Sequence, residues 1–436
     1  MLHSYEGLDR PGGVSRRGLM APLRHRDFRL LWLGMCVSLL GDGAFLVAIA
    51  WQVYELSNAP TALGIVGIAM TVPTIAFLLV GGVASDRLDR RRIMICADLA
   101  RMLAGGALAV LTLTGVLELW HVVVLVMVYG TGQGFFAPSF DALVPELVPR
   151  AELPQANALD QIVRPIALRL VGPAIGGVLV GAFGAGSAFG LDAASFALSA
   201  AALLLMRRPA ARTQHSTPSL LGDLREGWQF VRHRSWLWAT FGSAAVAYLL
   251  FMGPVEVLLP YIVKETLDGS AAELGLVFAA GGLSSVLAAA FLGQRGLPRR
   301  EITFIYAVWG LATLAVAGYG LAASVWQLML ASAAFNALET VGTIVWATTK
   351  QRHVPSAMLG RVSSLDWLIS IGLLPLSFAL TGPVSAAIGV QATLVGAGLL
   401  GALVTLAGLL VPGVRSIERN DVPRARAGGD AEPALG

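Results

Sequence analysis

Charge is scarce in this sequence. Only 13% of its 436 residues are Asp, Glu, Lys or Arg, against about 25% in soluble domains. Hydrophobic residues make up 56%, and the mean hydropathy is +0.71. A chain so poor in charge is an integral membrane protein. Cysteine is scarce too: Cys36 and Cys96 both fall in apolar runs, which argues against a disulfide framework and makes them small core residues. The alternating segments of about ten residues that build a membrane barrel are missing. The apolar runs are long and uninterrupted, so their backbone groups must be satisfied within helices. Catalytic signatures are absent as well: there is no HExxH, no GxSxG and no P-loop lysine, and the six histidines lack metal-ligand spacing. GAGSAFG at 184–190 only approximates a dinucleotide fingerprint. These absences speak against an enzyme, a bound metal or cofactor, and an ATP-driven pump. The pI of 9.3 needs no nucleic acid, because basic residues belong in cytoplasmic loops.

What is present is a series of twelve apolar runs. They fall at 30–55, 62–85, 93–117, 120–143, 156–182, 187–206, 237–262, 273–293, 302–322, 326–347, 365–388 and 392–411, each long enough for a membrane helix. Of the 31 Lys and Arg residues, 27 fall in the two tails and the even-numbered loops, and only Lys264 falls on the opposite side. By the positive-inside rule both termini are therefore cytoplasmic. The first 29 residues are polar and run directly into a long span, so no cleavable signal is expected.

The domain reading is a cytoplasmic tail at 1–29, a six-helix bundle at 30–206, a cytoplasmic linker at 207–236, a second six-helix bundle at 237–411 and a disordered tail at 412–436. In the linker, Leu221, Leu224, Trp228 and Val231 share one helical face, which suits a helix lying on the inner membrane surface. The fold class is thus all-α, with twelve transmembrane helices in two pseudo-symmetric six-helix bundles.

Between spans two and three lies GGVASDRLDRRR, residues 81–92. The spacing Gly82, Asp86, Arg87, Arg90 and Arg91 resembles the G-x-x-x-D-R-x-G-R-R signature of the major facilitator superfamily, with Asp89 in place of the second glycine. After span eight the counterpart GQRGLPRRE keeps the glycine and the pair Arg299 and Arg300 but lacks the aspartate. In span five, LRLVGPAIGG supplies Gly172, Pro173, Gly176 and Gly177 and resembles the G-P-x-x-G-G element of that superfamily's exporters. Physically, the proline frees a backbone carbonyl and the glycines allow close helix approach; Gly281 and Gly282 in span eight offer a matching smooth surface. The stretches FFAPSFDALVPELVP at 135–149, LPQANAL at 153–159 and VPSAMLGRVSSL at 354–365 resemble the branch of macrolide and siderophore exporters.

The resemblance implies a monomeric secondary transporter in the bacterial inner membrane. It would export an amphipathic drug, antibiotic or siderophore by alternating access, with protons as co-substrate and the proton gradient in place of any cofactor. A solute-importing symporter is the alternative within transport, disfavoured by the span-five element. A membrane receptor is a further alternative, and the lack of a large soluble domain speaks against it.

An ionised side chain at mid-membrane costs about 2.5–3.5 kcal/mol, so each needs a partner, water or a proton. Asp42, Asp141, Glu256 and Glu339 stand out, in spans one, four, seven and ten; the resemblance implies that these four spans line the cavity. Asp42 and Glu339 fall near mid-depth and read as the proton-coupling acids, with Glu256 a further candidate. Arg169, at a similar depth, is expected to pair with Asp42. Asp98 with Arg101, and Asp160 with Arg164, read as local structural pairs. Asp192, near the outer end of span six, is expected to face water. Arg90 is expected to reach Asp141 and Asp86 to meet the start of span eleven, near Ser363, together forming a cytoplasmic gate. Trp51, Tyr129, Gln133, Asn336 and Trp346 are the expected cavity side chains.

Overall fold

A computed structural model describes residues 20–207, 220–295 and 298–420, and among them every regular element is helical. Among the described residues, twelve helical stretches are long and apolar enough to cross a membrane. The first bundle comprises α1 (Arg26–Leu56), α2 (Pro60–Arg87), α3 (Arg90–Leu113), α4 (Leu119–Leu147), α5 (Leu153–Arg164) continuing into α6 (Gly172–Phe183), and α7 (Ala185–Leu205). After the linker helix α8 (Leu220–Arg232), the second bundle comprises α9 (Ser235–Tyr261), α10 (Ala271–Arg295), α11 (Glu301–Leu321), α12 (Val325–His353), α13 (Ser356–Gly372) leading into α14 (Leu374–Ile388), and α15 (Val390–Ala407). A short α16 (Ser416–Asn420) comes last.

Packing repeats between the bundles. In the first, α1 lies against α7, α2 against α4, and α3 against both α4 and α7; in the second, α9 lies against α15, α10 against α12, and α11 against both α12 and α15. Two equivalent contacts join the bundles, α6 with α10 and α14 with α2. The turns repeat as well. Gly184 (φ 77°, ψ 165°) and Gly389 (φ 90°, ψ 154°) each cap the last span of their bundle, in a backbone region that only glycine enters cheaply.

Span five widens midway. Between α5 and α6 the backbone of Pro165–Val171 forms π-helical turns, bounded by Pro165 and by Pro173, neither of which has an N–H to donate. Each such turn admits extra residues and rotates the next part of the span relative to an unbroken α-helix. Span eleven is interrupted by a single turn residue, Leu373, between α13 and α14.

Several expectations are corrected. Span eleven begins with α13 at Ser356, well before Ser363. Without departing from the surface reading, the linker helix also packs on protein: Gly227 lies close to Leu365 and Arg361 of α13, Glu226 pairs with Arg361 at 2.9 Å, and Val231 is buried. Trp228 is exposed, while the side chains of Leu221 and Leu224 lie outside the described ones. Residues 416–420 of the tail are helical, with Glu418 accepting from the Thr303 N–H at 2.6 Å and so capping the start of α11; residues 421–436 lie outside the described residues. Cys96 is exposed on the bundle surface.

Candidate functional site: a two-chambered cavity at the bundle seam

The helix ends that carry the basic loops form one face of the molecule, the basic end; the opposite face is the far end. At the far end the seam is closed. Tyr54 of α1 donates to the Val257 carbonyl of α9 at 2.6 Å, its ring meets Tyr261 edge-on, and Lys264 lies 5.3 Å from the centre of the Trp51 ring. Small residues bring the backbones together beside these contacts. A Cβ on Gly177 would stand 2.8 Å from the Ala271 carbonyl oxygen, and one on Gly382 would overlap Thr61.

Beneath this closure lies a chamber of about 410 Å³, lined by Leu46 and Ile49 of α1, Gly67 and Met70 of α2, Glu256 and Met252 of α9, and Asn336 of α12. A second chamber of about 430 Å³ extends toward the basic end inside the second bundle, bordered by Trp309, Trp346, Trp367, Thr343 and Asp366. Arg169, Tyr248, Met252, Phe335 and Glu339 line both. Arg169 and Glu339 therefore stand where the chambers meet, and their side chains are 4.0 Å apart across the seam. Glu339 also accepts from Thr343 at 2.9 Å. Glu256 faces the far chamber without a hydrogen-bond or ion-pair partner among the described residues.

The arginine that depth alone assigned to Asp42 thus pairs with the other bundle. Depth along a span does not fix the direction a side chain faces: Arg169 lies in the π-helical stretch and reaches across the seam, and its carbonyl oxygen lies so close to α10 that a Cβ on Gly282 would overlap it. Asp42 instead accepts from the Tyr129 hydroxyl, and Asp192, expected to face water, is fully buried beside them. The local pairs are present, Asp98–Arg101 at 2.5 Å and Asp160–Arg164 at 2.8 Å.

The span-five residues divide by face. Gly172 lies against Gly43 and Gly176 against Ala44, both on α1, whereas Gly177 meets Ala271 and Gly275 of α10. The smooth partner surface on span eight is Gly275 and Gly282; Gly281 faces Asn336 within its own bundle.

At the basic end, Arg90 donates to the Ala142 carbonyl at 3.0 Å and to Glu146 at 2.6 Å, so the acid it reaches on α4 is Glu146 and not Asp141. Asp141 lines a small recess with Asp160 and Trp32. Arg91 donates to the last carbonyls of α7, Leu203 and Leu204, at 2.6 and 2.7 Å, where cations are favoured. Asp89 accepts from the Arg91 and Arg92 N–H groups and caps α3 with φ −65°, a conformation that needs no glycine. Gly82 has open space around it. The side chains of Asp86 and Arg87 lie outside the described ones.

Among the expected cavity residues, Asn336 and Trp346 line the chambers. Trp51 binds Glu55 near the far end, and Tyr129 is buried in the core of the first bundle. Gln133 borders neither chamber. Sequence reasoning missed Asp366 and Lys350: their side chains bind one another, and Asp366 also accepts from Trp346 at 2.9 Å. An acid one residue inside an apolar run was the available signal.

Known proteins agree with this architecture. The profile of the family described as transmembrane secretion effector matches residues 17–431. Macrolide efflux protein A of Streptococcus pyogenes is 23% identical over 400 residues, covering 91% of this chain and 97% of its own. The multidrug efflux pump Tap of Mycolicibacterium fortuitum is 26% identical over 396 residues, covering 88% and 95%. The crystal structure of a bacterial homologue of the iron transporter ferroportin superposes with a TM-score of 0.66 at 18% identity, covering 88% of this chain and 98% of that one.

Proposed function

Since the chain belongs to the transmembrane secretion effector family, we propose that it exports an amphipathic small molecule from the cytoplasm in exchange for protons. It is a multi-pass major facilitator transporter and not an enzyme. The observation that carries the proposal is the Arg169–Glu339 contact at the junction of two largely apolar chambers. Each partner belongs to a different bundle. A proton on Glu339 removes the charge that holds Arg169 and weakens the seam at mid-depth, whereas loss of that proton restores it. Alternating access results if the bundles rock about this level.

The far-end closure supports a cytoplasm-facing state, with the basic end inside by the positive-inside rule. Trp309, Trp346 and Trp367 offer aromatic faces to an apolar ring system, and Asn336 and Thr343 offer hydrogen bonds. The names of the efflux relatives support export as the direction.

Inside-out vesicles containing the protein provide the test. Acidifying the lumen should drive uptake of radiolabelled erythromycin, a protonophore should abolish it, and Glu339→Gln should weaken its dependence on the gradient. Uptake indifferent to the pH gradient would overturn the reading.

A further inference from the structure

The first bundle encloses a second group of ionisable side chains that belongs to neither chamber. Asp42 on α1, Tyr129 on α4 and Asp192 on α7 meet where these helices pack together. The Tyr129 hydroxyl donates to Asp42 Oδ1 and lies 3.5 Å from Asp192 Oδ1. Asp192 is fully buried, and its Oδ2 has no hydrogen-bond partner among the described residues. Aromatic rings wall the group: Phe45 stacks on Tyr129 at 4.5 Å, and Phe196 meets it edge-on at 5.6 Å.

The cations that face this group each bind another acid, although the buried Nε of Arg101 has no hydrogen-bond partner among the described residues. Arg101 of α3 is bound to Asp98 at 2.5 Å and lies over the Phe196 ring at 4.1 Å; Arg164 of α5 is bound to Asp160 at 2.8 Å. Asp42 and Asp192 are therefore two further carboxylates without a cation of their own. A tyrosine hydroxyl carries one hydrogen, and here Asp42 receives it. If Asp192 were ionised, its nearer oxygen would face the Tyr129 oxygen with no hydrogen between them, in a site that Asp192 shares with no solvent. A buried carboxylate in that position needs a proton or a partner. One added hydrogen resolves the conflict: the Asp192 O–H donates to the Tyr129 oxygen, whose own O–H donates to Asp42.

We propose that Asp192, Tyr129 and Asp42 form a single-proton site in the core of the first bundle, distinct from the Arg169–Glu339 contact, with Tyr129 as relay and Asp42 as entry. Asp42 is partly accessible whereas Asp192 is not, and Asp42 stands one helical turn before Leu46, which lines the far chamber. Loading proceeds in one concerted step. Protonated Asp42 passes its hydrogen to the Tyr129 oxygen as Tyr129 passes its own to Asp192. Asp42 is left as carboxylate, the hydroxyl is restored, and Asp192 becomes the acid. Occupancy is communicated through α1, which packs so tightly here that a Cβ on Gly41 would be 2.8 Å from Asp192 Oδ1.

The inference rests on the proton-coupled reading, and its test separates the two. Infrared difference spectra of the purified full-length protein, recorded across a pH titration without substrate, should contain the C=O stretch of a buried carboxylic acid. That band should vanish in Asp192→Asn and shift in Tyr129→Phe, which keeps the ring and its stacking. In vesicles, the ratio of pH-driven erythromycin accumulation to pH-independent counterflow should fall by about a hundredfold in Tyr129→Phe, the lower end of the range for loss of a proton-transfer group. The same band in Asp192→Asn, or an unchanged ratio in Tyr129→Phe, would overturn the site. Should Asp192→Asn not insert, the Tyr129→Phe spectrum and ratio decide alone. Wild-type vesicles without pH-driven accumulation, in a protein that still shows the band, would instead refute proton coupling and leave the site standing.

Discussion

Arg169 on the π-helical stretch of span five and Glu339 on α12 approach to 4.0 Å across the seam between the bundles. More than half of the arginine side chain, 53%, is exposed to the chambers. The contact is therefore screened, and it links the bundles more than it stabilises the fold.

A double-mutant cycle with Arg169→Gln and Glu339→Gln should give a coupling below about 1 kcal/mol in thermal unfolding. The same substitutions should change transport far more than stability. Coupling of several kcal/mol in the melting data would mark the pair as a structural staple.

Neighbouring glycines of α6 should fail differently. Gly176 packs on Ala44 within the first bundle, so Gly176→Leu should cost about 1–3 kcal/mol by overpacking. Gly177 packs on α10 of the other bundle, so Gly177→Leu should spare that stability and hold the far end apart. Cysteine accessibility at far-end positions should rise in Gly177→Leu; equal melting losses in both variants would contradict the division.

Tyr54→Phe removes the hydrogen bond to Val257 that helps close the far end. Losing it should disfavour the closed state by about 1 kcal/mol. Distance distributions between spin labels on α1 and α9 should shift toward the separated population. An unchanged distribution would assign the closure to apolar contacts alone.

Asp89→Ala should cost about 1 kcal/mol of thermal stability through loss of the α3 cap. Asp89→Gly should cost only a few tenths, since glycine is itself a tolerated cap. Equal losses for the two would show that the capping hydrogen bonds contribute little.

Features that depend on local chemistry are written in the order of the residues. Twelve spans come from the length of apolar runs, because each must satisfy its own backbone in lipid. The pairs Asp98–Arg101 and Asp160–Arg164 were legible because residues three or four apart on a helix are neighbours whatever surrounds them. Tertiary structure decided everything that depends on the direction a helix faces. Depth placed Arg169 level with Asp42, yet from the π-helical stretch after Pro165 it reaches Glu339. Arg90 finds Glu146 rather than Asp141, although both acids lie on α4 and only five residues apart. Asp192 is buried against α1 and α4, where an end-of-span position had suggested water. One residue turns an α-helical side chain by about 100°, so a single irregular turn reassigns partners across the bundle while leaving every apolar run, and hence every span, where the sequence had put it.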